Sequence, residues 1–152
     1  MNRILQLNAL RFVPWLLTAA LSACAIAPFT PTSPEETLAR APVSQNTAVV
    51  ALADAARTDA AAEKFSGAAS SLERALRIEP RNPRLWHELG RLKLKEGDYR
   101  QAANMAARSN TWVGADKALH AANWRLIGEA RRADGDETGA LAAFSKAETI
   151  TR

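Results

Sequence analysis

The chain has 152 residues, with 20 basic and 16 acidic side chains, a formal charge of +4 at pH 7, and 47% hydrophobic residues that include only nine aromatics. That length and composition fit one domain with an alanine-rich helical core. Arg3 and Arg11 fall within positions 1–23, so the remainder sets 18 basic against 16 acidic side chains, a net +2. With no alternation of aromatic and basic residues along a strand pattern, that charge argues against nucleic-acid binding.

Residues 1–23 divide as an export signal does, with Arg3 and Arg11 ahead of an apolar stretch from Phe12 to Ala23. The stretch is interrupted by Pro14 and falls short of the ~20 apolar residues that a comfortable membrane span needs. Leu21-Ser22-Ala23-Cys24 ends it and holds the only cysteine of the chain. This ending resembles the lipobox of bacterial lipoproteins. The resemblance implies cleavage before Cys24, a diacylglyceryl group on its thiol and acylation of the new N-terminus; an ordinary secretory signal with an incidental cysteine is the alternative. A lone cysteine has no intramolecular disulfide partner to compete for that thiol. Several acyl chains, at ~0.8 kcal/mol per buried CH₂, would hold such a protein stably at a membrane. Ala25 follows the cysteine, where lipoproteins retained at the inner membrane usually resemble a pattern with aspartate, so the expected location is the periplasmic face of the outer membrane.

From 24 to 46 the chain carries Pro28, Pro31, Pro34 and Pro42 among Thr30, Thr32, Ser33 and Ser44. Proline fixes φ and favours extended backbone, and at ~3.1 Å per residue the segment reads as a disordered tether several nanometres long. Packing as an irregular arm, with Leu38 and Val43 as its contacts, is the other reading.

From Thr47 there is almost no strand signal. Breakers at Gly67, Pro80-Pro83, Gly97, Gly114 and Gly135 set a rhythm of helix, short turn, helix. Phe65, Ala68, Leu72, Ala75 and Pro80 align with Tyr99, Ala102, Ala106, Ser109 and Gly114 at one constant offset. That offset is the period of about 34 residues that marks a tetratricopeptide-like repeat. The middle unit matches the pattern best through Trp86, Leu89, Gly90, Gly97, Tyr99 and Ala102. A third unit recovers it through Trp124, Ile127, Gly128, Gly135, Ala140, Phe144 and Ala147 after four extra residues, which fall within 109–120. The expected fold is therefore all-α, a tetratricopeptide-like right-handed superhelix of about three helix-turn-helix repeats over 47–152. The units lie near 49–82, 83–116 and 121–152.

Small residues at Gly90, Gly128, Ala102 and Ala140 let helix backbones approach, and Trp86, Trp124, Tyr99 and Phe144 fill the remaining volume. Asn82 before Pro83, Asp98 with Gln101, Asp136 and Ser66 read as helix starts. Asp59, Lys93 and Arg131 stand where the repeat usually carries a large aromatic, which thins the packing there. The last helix, with Leu141, Phe144 and Ile150, leaves an apolar edge through which two copies could associate.

The tetratricopeptide resemblance implies a concave groove lined by the first helix of each unit. Carried over by position, the groove residues are Val50, Ala53, Asp54 and Arg57; then Arg84, His87, Glu88, Arg91 and Lys95; then Arg125, Glu129 and Arg132. The set is net basic and suits an acidic or carboxylate-bearing peptide of an envelope protein, since a guanidinium can place two parallel hydrogen bonds on one carboxylate. A merely solvated face with weak surface ion pairs is the alternative. The asparagine and lysine pattern of the chaperone carboxylate clamp is absent from these positions. Trp112, inside the region that departs from the repeat, either anchors a partner or folds over the insertion to close the gap between units two and three.

His87 and His120 have no cysteine and no compact carboxylate spacing around them, so no metal is expected. No phosphate loop, nucleophile elbow or histidine-glutamate zinc motif is present. Glu88 or Glu129 as the acid of a glycan-cleaving enzyme is a remote reading. The expectation is a binding protein without a cofactor beyond the lipid on Cys24: an adaptor or scaffold held at the membrane, with a self-associating structural lipoprotein as the competing class.

Overall fold

The computed structural model describes residues 41–152. The export signal, Cys24 and the tether up to residue 40 lie outside the described residues. Six helices follow in order: α1 Thr47–Ala61, α2 Phe65–Ile78, α3 Pro83–Lys95, α4 Tyr99–Asn110, α5 Lys117–Ala133 and α6 Glu137–Thr151. No strand occurs among the described residues, and no described helix is long and apolar enough to cross a membrane. Short turns join α1 to α2, α3 to α4 and α5 to α6 into three hairpins, and each hairpin packs on the next.

Local chemistry sets most of the helix starts. Asn46, Asn82, Asp98, Asp116 and Asp136 each cap a helix with a side-chain oxygen that accepts a backbone N–H, satisfying one of the donors the first turn leaves unpaired. Asn82 does so twice, from Arg84 N at 2.9 Å and Leu85 N at 3.3 Å, with Pro83 preset as the first helical residue. The reciprocal half of the expected Asp98–Gln101 capping box does not form: Gln101 Nε2 donates to Asp98 Oδ2, and Asp98 N–H goes to Lys93 O at 2.9 Å instead. Ser66 does not cap α2: the helix begins at Phe65 and its cap position is Lys64, which offers no side-chain acceptor.

Alanines and leucines make the core. One cluster runs from Val49, Ala53 and Ala56 through Leu72 and Leu76 to Leu85, Leu89 and Leu92; a second gathers Ala106, Leu126, Ile127 and Ala143. Close approach is explicit in units two and three. A methyl on Gly90 would lie 3.2 Å from Ala102 O and 3.1 Å from Leu126 Cδ2, and one on Gly128 would meet the Phe144 ring at 2.5 Å. The tryptophans fill less than expected. Trp86 and Trp124 are half-buried, each hydrogen-bonded through Nε1, to Pro80 O at 2.9 Å and His120 Nε2 at 3.1 Å. Their outer faces lie under Arg108 and Lys146.

Two boundaries differ from the sequence reading. The four extra residues, read within 109–120, add one turn to the front of α5, which starts at Lys117 rather than near 121 and is capped by Asp116. At the other end the domain takes in residues assigned to the tether. Val43 is 6% exposed and accepts from Asn82 Nδ2 at 2.9 Å, while Ser44 Oγ donates to Glu79 Oε1 at 2.6 Å.

Candidate functional site

The first helices of the three units, α1, α3 and α5, present a groove with α3 along its middle. Between α1 and α3 lies a pocket of about 280 Å³ floored by Ala53, Ala56, Ala60, Ala68, Leu72 and Leu92 and rimmed by Arg57, Glu88, Arg91 and Lys95. It exists because α1 carries alanines at 53, 56 and 60 where it faces α3, with Arg57 reaching across at the edge. A second pocket, of about 190 Å³, lies between α3 and α5, walled by Leu94, Ala122 and Leu126 and rimmed by Arg91, Lys95, Arg125 and Glu129. Arg91 and Lys95 belong to both.

Charge in the groove is unevenly committed. Arg57 is held by Asp54 at 2.7 Å and reaches Glu88 at 3.8 Å. Arg91, Lys95 and Arg125 make no ion pair among the described residues. Arg91 and Lys95 are exposed and Arg125 half-buried, so the three cations sit against an apolar floor with their hydrogen-bonding capacity directed to solvent. Such an arrangement can receive a carboxylate flanked by apolar side chains.

Other residues carried over to the groove have different work. His87 is 7% exposed and lies at the floor, its Nδ1 2.7 Å from Asn123 Oδ1. Asn123 spends its two amide hydrogens on Ser109 Oγ at 2.7 Å and Asn110 Oδ1 at 2.9 Å, so its oxygen must accept and His87 carries the proton on Nδ1. Ser109 Oγ in turn donates to Pro83 O at 2.7 Å, tying α3, α4 and α5 together. Arg84 sits at the front end of α3, paired with Asp116 at 3.0 Å, beside a separate open cleft next to Val43. Arg132 turns away along α5 and lies over the Phe144 ring at 4.6 Å, with Glu137 Oε1 3.7 Å from its Nε. Val50 is drawn into the core rather than onto the groove.

Trp112 does not close the insertion. It remains 41% exposed on the α4–α5 turn with Arg81 over its ring at 5.1 Å, and the apolar side chain that this turn buries is its neighbour Val113, 8% exposed. On α6 the expected apolar edge reduces to Leu141, 59% exposed, since Phe144 is covered by Arg132. Among the described residues no three His, Cys, Asp or Glu side chains converge as a metal site would need.

The hydrogen-bonded quartet of His87, Ser109, Asn110 and Asn123, three of them buried, was missed as a unit by sequence reasoning. Its signal was present at Ser109, a polar residue aligned with Ala75 of the preceding repeat.

Comparison with known proteins agrees with the fold. Residues 59–122 match the tetratricopeptide repeat family model. The solved structure of the globular C-terminal domain of P. aeruginosa LpoP superposes with a TM-score of 0.67 at 36% sequence identity, over 69% of this chain and 99% of that one. No curated protein matches the chain at a significant level.

Proposed function

Since the chain belongs to the family of the globular C-terminal domain of P. aeruginosa LpoP and is built of tetratricopeptide repeats, we propose that it is a non-enzymatic adaptor of the cell envelope, anchored by lipid on Cys24 at the periplasmic face of the outer membrane. The helical domain binds a protein partner in the groove along α1, α3 and α5. The observation that carries this reading is the set of three cations, Arg91, Lys95 and Arg125, without ion pairs among the described residues and lying over apolar pockets. Anchor and groove together raise the local concentration of whatever the groove holds, which gains avidity without new contacts.

A crosslinked pull-down from cell envelopes tests it, comparing the anchored chain with an Arg91→Glu/Arg125→Glu variant that keeps its helicity and membrane fraction. Envelope proteins recovered with the first and lost from the second identify partner and groove together. Recovery of the chain alone would favour the structural, self-associating alternative. Lipidation is tested separately: Cys24→Ser should abolish incorporation of labelled palmitate and release the chain from membranes, and continued labelling would remove the anchor from the reading.

A further inference from the structure

Two pockets flank one helix, and both are too small for a cofactor or drug-sized ligand, whose sites run from ~300 Å³ upward. At about 280 and 190 Å³ they are side-chain receptacles. Their separation is set by α3 itself, which lies between them, and a helix with its side chains is ~10 Å across. A ligand that fills both must therefore present two apolar side chains on one face, separated by that same ~10 Å, with a carboxylate between them to meet Arg91 and Lys95 on the shared rim.

An extended peptide does not meet both demands. Side chains on one face of a strand recur at two-residue steps, which place them at ~7 Å or ~13 Å and straddle the required distance; a polyproline II segment sets i and i+3 on one face ~9 Å apart but has no residue on that face between them to carry the carboxylate. An α-helix does meet it: positions i and i+7 share a face and lie ~10.5 Å apart, with i+3 and i+4 on that face between them. We propose that the groove takes an amphipathic helix of a partner protein, with apolar anchors at i and i+7 in the two pockets and an acidic residue at i+3 or i+4 on Arg91 and Lys95. Arg125, on the far rim of the second pocket, then meets an acidic residue one further turn along. This rests on the groove reading above and specifies its occupant.

The test uses fluorescein-labelled peptides and the full chain in detergent, read by fluorescence anisotropy. The peptides are of ~15 residues, about the length at which an isolated helix becomes marginally stable in water. The first is lactam-stapled as a helix with leucines at positions 4 and 11 and glutamates at 7 and 8. The second is an identical helix with its second leucine moved to position 9, off the face. A third keeps the first peptide's leucines and glutamates but carries prolines in place of other residues, which hold it extended. The first should bind at least tenfold more tightly than the other two, lose at least tenfold on Lys95→Glu, and weaken on Ala60→Leu, which fills the first pocket while circular dichroism confirms the fold. Equal affinity of the two helices overturns the anchor spacing, and tighter binding of the extended peptide overturns the helix; either leaves the groove as the binding surface. Binding of all three that is indifferent to Lys95→Glu, or of none, removes the groove reading and this one together.

Discussion

The junction between units one and two and the junction between units two and three occupy equivalent places in the repeat and are built from opposite chemistry. At the first, Ala53, Ala75, Leu76 and Leu85 share one core cluster, all of them buried. In the repeat alignment these positions become His87, Ser109, Asn110 and Asn123 at the second, where three of the four are buried polar groups and the set is joined by hydrogen bonds of 2.7 to 2.9 Å. Apolar contacts tolerate small sliding and rotation, whereas a hydrogen-bonded quartet accepts one arrangement. The polar junction is also where α5 carries its additional turn, so the directional bonds fix the register of the one helix whose length departs from the repeat. His87 joins this junction to the groove floor, so the rigid joint lies directly beneath the second pocket.

Breaking the polar junction should give the largest effect. Asn123→Leu places at that site the residue its counterpart carries, yet removes the acceptor of His87 Nδ1 and the donor to Asn110 Oδ1, while Ser109 keeps its bond to Pro83 O; with ~1–3 kcal/mol for each buried polar group left unpaired, a loss of about 3 kcal/mol is expected. Transplanting the whole apolar set, His87→Ala, Ser109→Ala, Asn110→Leu and Asn123→Leu together, should recover most of it, because no polar group is then left behind. Urea denaturation of the two variants decides the matter. A quadruple variant no more stable than the single one would mean that packing, not polar satisfaction, sets the energetics of this junction.

A second contrast lies inside the hairpins. Unit three pairs Gly128 with Phe144, and the aligned pair in unit one is Ala56 with Leu72. Gly128→Ala drives a methyl against the ring and should cost about 2 kcal/mol, within the range for overpacked cores. Adding Phe144→Leu recreates the unit-one pair, and a thermodynamic cycle should return a favourable coupling of about 1 kcal/mol. Additive losses would show that the ring moves aside freely.

The turns inside the hairpins sharpen the comparison further. Gly97 and Gly135 close units two and three with φ of +81° and +91°, and the first unit makes the same turn with Glu63 at +58°. The bonds are the same in all three: N–H of Lys64, Asp98 and Asp136 to the carbonyl five residues back at 2.8 to 2.9 Å, and N–H of Glu63, Gly97 and Gly135 to the carbonyl three residues back. A side chain in the left-handed region costs ~1 kcal/mol that glycine avoids, so Glu63→Gly should raise stability by about that amount, read as an increase in the denaturation midpoint at unchanged slope.

These contrasts also explain what was legible in the sequence. The helical class, the repeat period and the caps at Asn82, Asp98 and Asp136 could be read because each rests on local spacing and a named residue type. Arg57, Arg91, Lys95, Arg125 and Glu129 fell on the groove because helical periodicity carries a face forward reliably. His87 and Arg132 shared that periodicity and still went elsewhere. One was drawn down by Asn123 and the other across by Phe144, partners on other helices whose pull no local pattern encodes. The four extra residues lie at 117–120, within the span 109–120 read for them; that they lengthen a helix was not legible, since an insertion beside a capping aspartate extends a helix as readily as it lengthens a loop.

The smallest effect belongs to the position after Glu63. Asp98 and Asp136 use their carboxylates to cap α4 and α6, and the aligned residue before α2 is Lys64, which offers no acceptor and places a positive charge at the positive end of the helix dipole. Lys64→Asp supplies both the missing acceptor and the favourable charge. Because the site is exposed and screened, a gain of about 0.5 kcal/mol is expected from typical capping energies. Added to Glu63→Gly, it installs the complete Gly-Asp turn of the other two units. If the unit-one hairpin is the weakest of the three because it lacks those residues, amide exchange in α1 and α2 should slow in the double variant while α5 and α6 are unchanged. Uniform slowing across all six helices would mean instead that the three hairpins unfold as one cooperative block.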